Sequence, residues 1–290
     1  METKLLFVHA LSPLHAGTGQ GVETIDLPIA REKATGIPFL PGSTLKGVYR
    51  DACGNEALRI RVFGPDTGNA ELHAGAVTFT DARLLLLPVR SLRGVFAWAT
   101  SPLLLRRLTR DAQGYRGIPG IPVPADEESC LTANENGSLT MEVNDADKVI
   151  LEDLPLTPAF HDDAKKWAEW IGKKTFPQDD EAQEDLLARF CVISDDALSF
   201  LLETATEIAA RIQIDDDKKT AKEHMLWYEE ALPTETVLVS QVVASTIKIK
   251  DGKITKPDEV FKTVKKLSEK TLQFGGKATV GRGLCQATLA

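Results

Sequence analysis

Hydrophobic residues fill both alternating faces of residues 4–11, the pattern of a central strand covered on both sides. After a loop, residues 43–52 carry a helix signature: Ser43 or Thr44 as N-cap, Leu45, Val48, Tyr49 and Ala52 on one face, and Gly54 as stop. Residues 77–87 and 95–99 read as two strands joined through PVRSLRG in a hairpin. Ser101-Pro102 then opens a helix bearing Arg106, Arg107 and Arg110. Strand, helix, strand, strand, helix is the opening of an α+β, ferredoxin-like or RRM-like sheet. The aromatic strand motifs of an RNA-stacking RRM are missing, so base stacking on the sheet is not expected.

Residues 111–185, rich in Pro, Gly, Asp and Glu, predict an insertion with irregular structure, in which Trp167 and Trp170 at i,i+3 spacing suit packing better than a stacking platform. Helical patterns follow at 185–190 and 197–210. Polar and apolar residues then alternate around DDDKKT, as in a long, polar-tipped hairpin. Asp215–Asp217 lack EF-hand spacing and read as a solvated turn. The end of the chain predicts an amphipathic helix over 258–272, with Lys262, Lys265, Lys266 and Lys270, then the glycine-rich FGGKATVGRG. The whole reads as a single domain, 1–290.

Composition adds two constraints. The 290 residues are 43% hydrophobic, ample for a core, with no run near the roughly 18 apolar residues of a membrane helix; a cytoplasmic protein is expected. The four cysteines are scattered, without CxxC pairs, and read as reduced core residues. The net charge of −8 conceals a segregation: 14 Lys+Arg against 10 Asp+Glu in residues 1–120, 10 against 28 in 121–235, and 10 against 4 in 236–290. If the terminal strands meet in one sheet, the two basic ends form one anion-binding face.

Candidate chemistry concentrates between the first strand and the first helix. Gly17, Gly19 and Gly21 permit a close approach to a ligand, but the loop is neither a Walker motif nor GxGxxG and by itself reads first as an ordinary flexible loop. His15 and Asp26 flank it. An Asp between Ile25 and Leu27 is most often a turn residue or cap; the functional reading is a carboxylate that holds a cation or relays a proton beside a phosphate. Lys46, on the same face as Arg50, sits in the first turn of the helix and opposes the helix dipole, which suits an anion bound there or else a solvated surface lysine. Near the C-terminus Gly275, Gly276, Gly281 and Gly283 surround Lys277 and Arg282, as in a phosphate cradle or as in a flexible linker.

In order along the chain, LSPLHAGTG, IDLPIAREKATGIPFLPGSTLKGVYR, AVTFTDARLLLLPV, RIQIDDDKKTA with LWYEEALPTETVL, and FGGKATVGRG resemble the RAMP superfamily of CRISPR proteins. IDLPIARE and LWYEEALP are most similar to the repeated backbone subunit, the fourth, of type III-B Cmr effector complexes. The resemblance covers most of the chain outside 111–185. It implies a modified RRM-like palm with an inserted irregular or helical segment and a protruding β-hairpin thumb, here 211–231. It also implies stacking of copies along a CRISPR RNA, with target RNA and other Cmr subunits as partners, and metal-dependent cleavage of the target RNA at regular intervals. Asp26 is then the catalytic residue and the ligand of a weakly held Mg²⁺ or Mn²⁺ ion, with His15, and Glu229 or Glu230, as helpers. Ser43, Lys46, Arg50, Gly275, Gly276, Lys277 and Arg282 fall where the family contacts RNA. A non-catalytic RNA-binding scaffold subunit is the alternative; a nucleotide-binding enzyme is disfavoured by the absent Walker residues.

Overall fold

A computed structural model describes residues 1–18, 25–65, 73–135, 137–214, 221–248 and 254–290, apart from the side chains of 221–224. In chain order the elements are β1 (Glu2–Ala10), β2 (Phe39–Leu40), α1 (Gly42–Ala52), α2 (Glu56–Phe63), β3 (Val77–Phe79), β4 (Ala82–Arg90), β5 (Phe96–Thr100) and α3 (Pro102–Asp111). Then come β6 (Ser129–Thr132), β7 (Met141–Val143), β8 (Ala146–Leu151), β9 (Leu154–Phe160), α4 (Asp162–Thr175), α5 (Asp180–Arg189), β10 (Phe190–Val192) and α6 (Asp195–Thr204). The last are β11 (Glu207–Ile214), β12 (Ala221–Ala231), β13 (Val237–Ala244), β14 (Ile247–Lys248), β15 (Ile254–Thr255), α7 (Pro257–Leu267), β16 (Leu272–Gln273) and β17 (Leu284–Leu289).

The doubly apolar β1 sits in the interior of a large mixed sheet with strand order β16-β17-β1-β13-β4-β5-β10-β6-β9-β8-β7. It pairs antiparallel with β13 (Phe7↔Val239) on one side and with β17 (Phe7↔Thr288) on the other, so the two ends of the chain are neighbours. Its alternation explains its placement. Leu6 and Val8 enter a core with Leu45 and Tyr49 of α1 and Val260 and Val264 of α7, while Leu5 and Phe7 enter a core with Trp167 and Ile171 of α4. Among these elements β1, α1, β4, β13, α7 and β17 follow one another as β-α-β-β-α-β, with the four strands side by side in the order β17-β1-β13-β4.

Several boundaries differ from the sequence reading. The single strand over 77–87 is two strands, both paired to β13. The break at Thr80–Asp81 lies where α1 begins: a Cβ on Gly42 would stand 2.4 Å from the Phe79 carbonyl oxygen, so the glycine lets the helix start against the sheet. The β4–β5 hairpin is as expected. The stretch 111–185, read as irregular, contributes four strands, of which β6 joins β10 and β9 and so extends the sheet, together with α4. Its tryptophans pack as expected: Trp167 is fully buried, donates to the Gly120 carbonyl at 2.7 Å and meets Trp170 edge-on. The helix read over 197–210 stops at Thr204, because from Glu207 the chain alternates and pairs with β12. β11 and β12 form a two-stranded ribbon apart from the main sheet, covering the stretch expected to be a hairpin; Asp215–Asp217 lie outside the described residues. No described helix is long and apolar enough to cross a membrane, and all four cysteines are free and buried.

Candidate nucleic-acid interface

The site is assembled on one edge of β12. β11 takes up the other edge, and along the first Tyr228 and Glu230, with Leu232 just past the end of the strand, hydrogen-bond to the loop after β1. Leu27 N–H donates to Tyr228 O (3.1 Å) and Glu230 N–H to Leu27 O (3.0 Å), while Leu14 and Leu232 exchange a pair of hydrogen bonds at 2.8 and 2.9 Å. Side chains complete the edge. Asp26 Oδ2 accepts from Tyr228 N–H at 2.8 Å, and His15 Nδ1 donates to Glu230 O at 2.7 Å. His15 and Asp26, eleven positions apart in the chain, are thus anchored two residues apart on one strand, roughly 7 Å along it. Asp26 is exposed, and among the described residues its Oδ1 carries no hydrogen bond.

His15 is held tightly. Only 7% of it is exposed; a Cβ on Gly17 would lie 2.6 Å from its Nε2, and one on Gly275 would lie 2.3 Å from its carbonyl oxygen. Gly276 N–H donates to that same carbonyl at 2.9 Å. Gly275, at φ 72°, therefore serves the close approach of the C-terminal loop to His15, a role the phosphate-cradle reading did not include. Gly19 and Gly21 lie outside the described residues.

The two glutamates of β12 have different surroundings because successive side chains face opposite sides of the ribbon. Glu230 is buried and saturated: Oε2 accepts from Ile29 N–H (3.0 Å), and Oε1 from Arg31 (2.5 Å) and the Thr206 hydroxyl (3.1 Å). It ties the segment after Asp26 to the ribbon. Glu229, also buried, accepts at Oε1 from the Trp227 indole (2.8 Å) and pairs with Lys277 (2.9 Å), while Arg211 stands 3.4 Å from Oε2, which lacks a hydrogen bond. Burial works to raise its pKa, but the Trp227 N–H, Lys277 and Arg211 together outweigh burial and leave it below the ordinary glutamate value.

The expected RNA contacts are distributed over two places. In the C-terminal loop Lys277 is committed to Glu229, and Arg282, which is 9% exposed, donates to Glu207 at 3.0 Å, so both cations brace the loop against the ribbon. At α1, Ser43 is exposed but is not the cap: Pro41 holds that position without a side-chain bond, and the Gly42 N–H instead donates to Asp81 Oδ1 at 2.8 Å. An intramolecular carboxylate thus already satisfies one N–H at this helix start. Lys46 is half-buried, and burial followed by the charge of Arg50 holds its ammonium below the usual lysine pKa. Arg50 itself donates to the Gly64 carbonyl. Packing of Tyr49 against Phe274 joins α1 to the strand end that leads into the Gly275 loop.

Arg31, Arg211, Trp227 and Asp81 were not singled out from the sequence. Arg31 stood in view within IDLPIARE, but its role needs Glu230, 199 positions away. Among the described residues no group of three or more His, Cys, Asp or Glu side chains could hold a metal ion.

Comparison with known proteins places this geometry. The RAMP superfamily model matches residues 7–286. The CRISPR system Cmr endoribonuclease Cmr4 of Pyrococcus furiosus is 35% identical over 296 residues, spanning 100% of this chain and 96% of the relative. The crystal structure of oligomeric Cmr4 from Pyrococcus furiosus superposes with a TM-score of 0.72 at 28% identity, covering 100% of this chain and 99% of that one. A chain of the type III-B Cmr-beta complex bound to cognate target RNA shares the fold, with a TM-score of 0.73 at 21% identity, covering 100% and 97%. The chain belongs to the RAMP superfamily and, within it, to the Cmr4 family.

Proposed function

We propose that this chain is a repeated backbone subunit of a type III-B CRISPR effector complex, that it binds CRISPR RNA together with other Cmr subunits, and that it cleaves complementary target RNA at regular intervals. The observation that carries the reading is the Asp26 carboxylate, exposed and aimed by the Tyr228 N–H at the base of the ribbon. Its relative in Pyrococcus furiosus is an endoribonuclease of the Cmr system. We read β1, α1, β4, β13, α7 and β17 as the RRM-like palm and β11–β12 as the thumb. The ribbon suits a wedge: Ile212, Leu226 and Tyr228 share one face, all exposed, and offer apolar surface to bases.

In this mechanism a kinked RNA strand lays a 2′-OH in line with its own phosphate. Asp26 takes the 2′-OH proton; the O2′–P bond forms, the P–O5′ bond breaks, and the leaving oxygen is protonated by water. His15, with both its ring and its carbonyl gripped, acts as a positioning residue that fixes the loop carrying Asp26. Lys46 and Ser43 offer phosphate contacts at α1, and Lys277 and Arg282, with Gly275 and Gly276 shaping their loop, keep positive charge beside the ribbon. A lone carboxylate oxygen fits a hard cation shared with RNA, not a protein cage. When bound, such a Mg²⁺ or Mn²⁺ ion would supply charge neutralisation at the phosphate, and Asp26 would then be its protein ligand in place of taking the proton itself.

The test is guide-directed cleavage by the assembled complex. Asp26→Ala should lower every regularly spaced cut by at least about 100-fold with target binding unchanged. Wild-type cutting by that variant would sink the assignment. A wild-type complex that binds target without cutting it, with Mg²⁺ or Mn²⁺ present, would make the chain a scaffold.

A further inference from the structure

The RNA site leaves unused a cleft of about 960 Å³ between the end of α1, α2 and α7. Its floor is apolar, from Ala52, Cys53, Leu58, Leu267 and Leu272, and its rim is cationic. Lys256, Lys262, Lys266 and Lys270 line it, all exposed and without an ion pair among the described residues. Among the described residues the acids facing them are Asp258 and Glu259, and Glu259 is already paired with Arg61 at 2.8 Å. Among the described residues no aromatic lines the cleft, so these residues offer nucleobases no stacking platform. An apolar floor inside a lysine rim suits the apolar face of a helix flanked by carboxylates.

The chain itself carries such a helix. On α6 the solvent face consists of Asp196, Ser199, Phe200 and Glu203, at i, i+3, i+4 and i+7, and Phe200 is 54% exposed between the two acids. The opposite face of α6, with Leu198, Leu201 and Leu202, is buried in the same core as Val260 and Val264 of α7. α6 and α7 therefore lie on one side of the sheet. They stand at different places along it: α6 begins against α3, where Asp195 accepts from Leu103 N–H, and ends beside Arg31, which donates to the Leu202 carbonyl, whereas α7 packs on β17 and β13.

We propose that the cleft receives α6 of a second copy, with Phe200 on the apolar floor and Asp196 and Glu203 against the lysines. Knob and socket lie on different parts of one surface, so the contact is heterologous and propagates copy after copy, as a repeating backbone requires. This rests on the reading that the subunit repeats along RNA, and it specifies the surfaces that meet.

The test uses the purified full chain without RNA, coupled with a carbodiimide that joins only carboxylates and amines already in contact. Covalent multimers should form, with the new amide joining Asp196 or Glu203 of one copy to a cleft lysine of another. Phe200→Ala should weaken self-association at least about tenfold while melting as the wild type does, since the side chain is half exposed. Glu203→Lys and Lys266→Glu should each weaken it, and the double variant should restore it, which a purely structural role would not allow. Cross-links mapping elsewhere, wild-type multimers from Phe200→Ala, or a wild-type chain that forms no multimers would each overturn the proposal. So would lysine variants that assemble normally but lose RNA affinity, which would make the cleft an RNA surface. Guide-directed cutting dependent on Asp26 is measured separately, so the contact can fail while the ribonuclease reading stands.

Discussion

Replacing Glu230 by alanine tests whether the Asp26 segment is held by the ribbon. The substitution removes three hydrogen bonds at once: those from Ile29 N–H, Arg31 and Thr206. The Ile29 amide is left buried without an acceptor, at a cost of about 1–3 kcal/mol. Arg31 keeps the carbonyls of Gly36 and Leu202, both at 2.9 Å, and its side chain is 27% exposed, so its lost ion pair is worth about 1 kcal/mol, less than a fully buried pair. Together these give about 3 kcal/mol, read as a shift of the urea midpoint at constant slope. Glu230→Gln should cost about 2 kcal/mol, because its amide oxygen still accepts from Ile29 while its NH₂ group confronts another donor. Hydrogen exchange at Ile29 should accelerate more in Glu230→Ala than in Glu230→Gln, and target RNA cleavage should fall because Asp26 hangs on the same segment. A change under about 0.5 kcal/mol with Ile29 still protected would refute the reasoning.

Two other perturbations address the braces around the site. Glu229 has a depressed pKa, so its contribution to stability is fully present above its unfolded value near 4.5 and is lost as pH falls through the lower folded value. Glu229→Gln should remove that acid-side loss in a pH series of urea melts, and an unchanged acid limb would contradict the Lys277–Trp227–Arg211 setting. Gly275→Ala combines a positive φ with a Cβ driven onto the His15 carbonyl, and should cost about 2–4 kcal/mol; Gly281→Ala, at φ 80° with nothing within 4 Å, should cost about 1 kcal/mol. Equal costs at the two positions would mean that the loop does not press on His15.

What the sequence made legible follows from the range of each signal. β1, α1 and the β4–β5 hairpin are written in local periodicity, and the structure has them near the expected residues. The strand break at Thr80–Asp81 was illegible because its cause is Gly42, brought there only by folding. The strands in 111–185 were hidden because they are short, three to seven residues, and punctuated by prolines and glycines that read locally as loop. The overrun of the helix at 197–210 has a similar origin: EIAAR fits either periodicity, and its partner on β12 decides.

The site shows the same division at closer range. Asp26 and His15 could be chosen by residue type and family resemblance, yet neither choice contained what makes them neighbours, the exposed edge of a strand more than 200 residues away. The glycines at 275 and 276 were legible as glycines that matter, and one use of them needed the fold to be seen: the loop packs closely on the His15 carbonyl. Lys277 and Arg282 show what charge alone leaves out, since each cation has a buried or half-exposed carboxylate as a partner within the chain. An RNA phosphate arriving beside this loop therefore meets a cation network tied to the ribbon, and drawing Lys277 away would leave Glu229 buried with less to stabilise its charge. If RNA binds at this loop, as proposed, that coupling would connect its binding to the strand that holds Asp26.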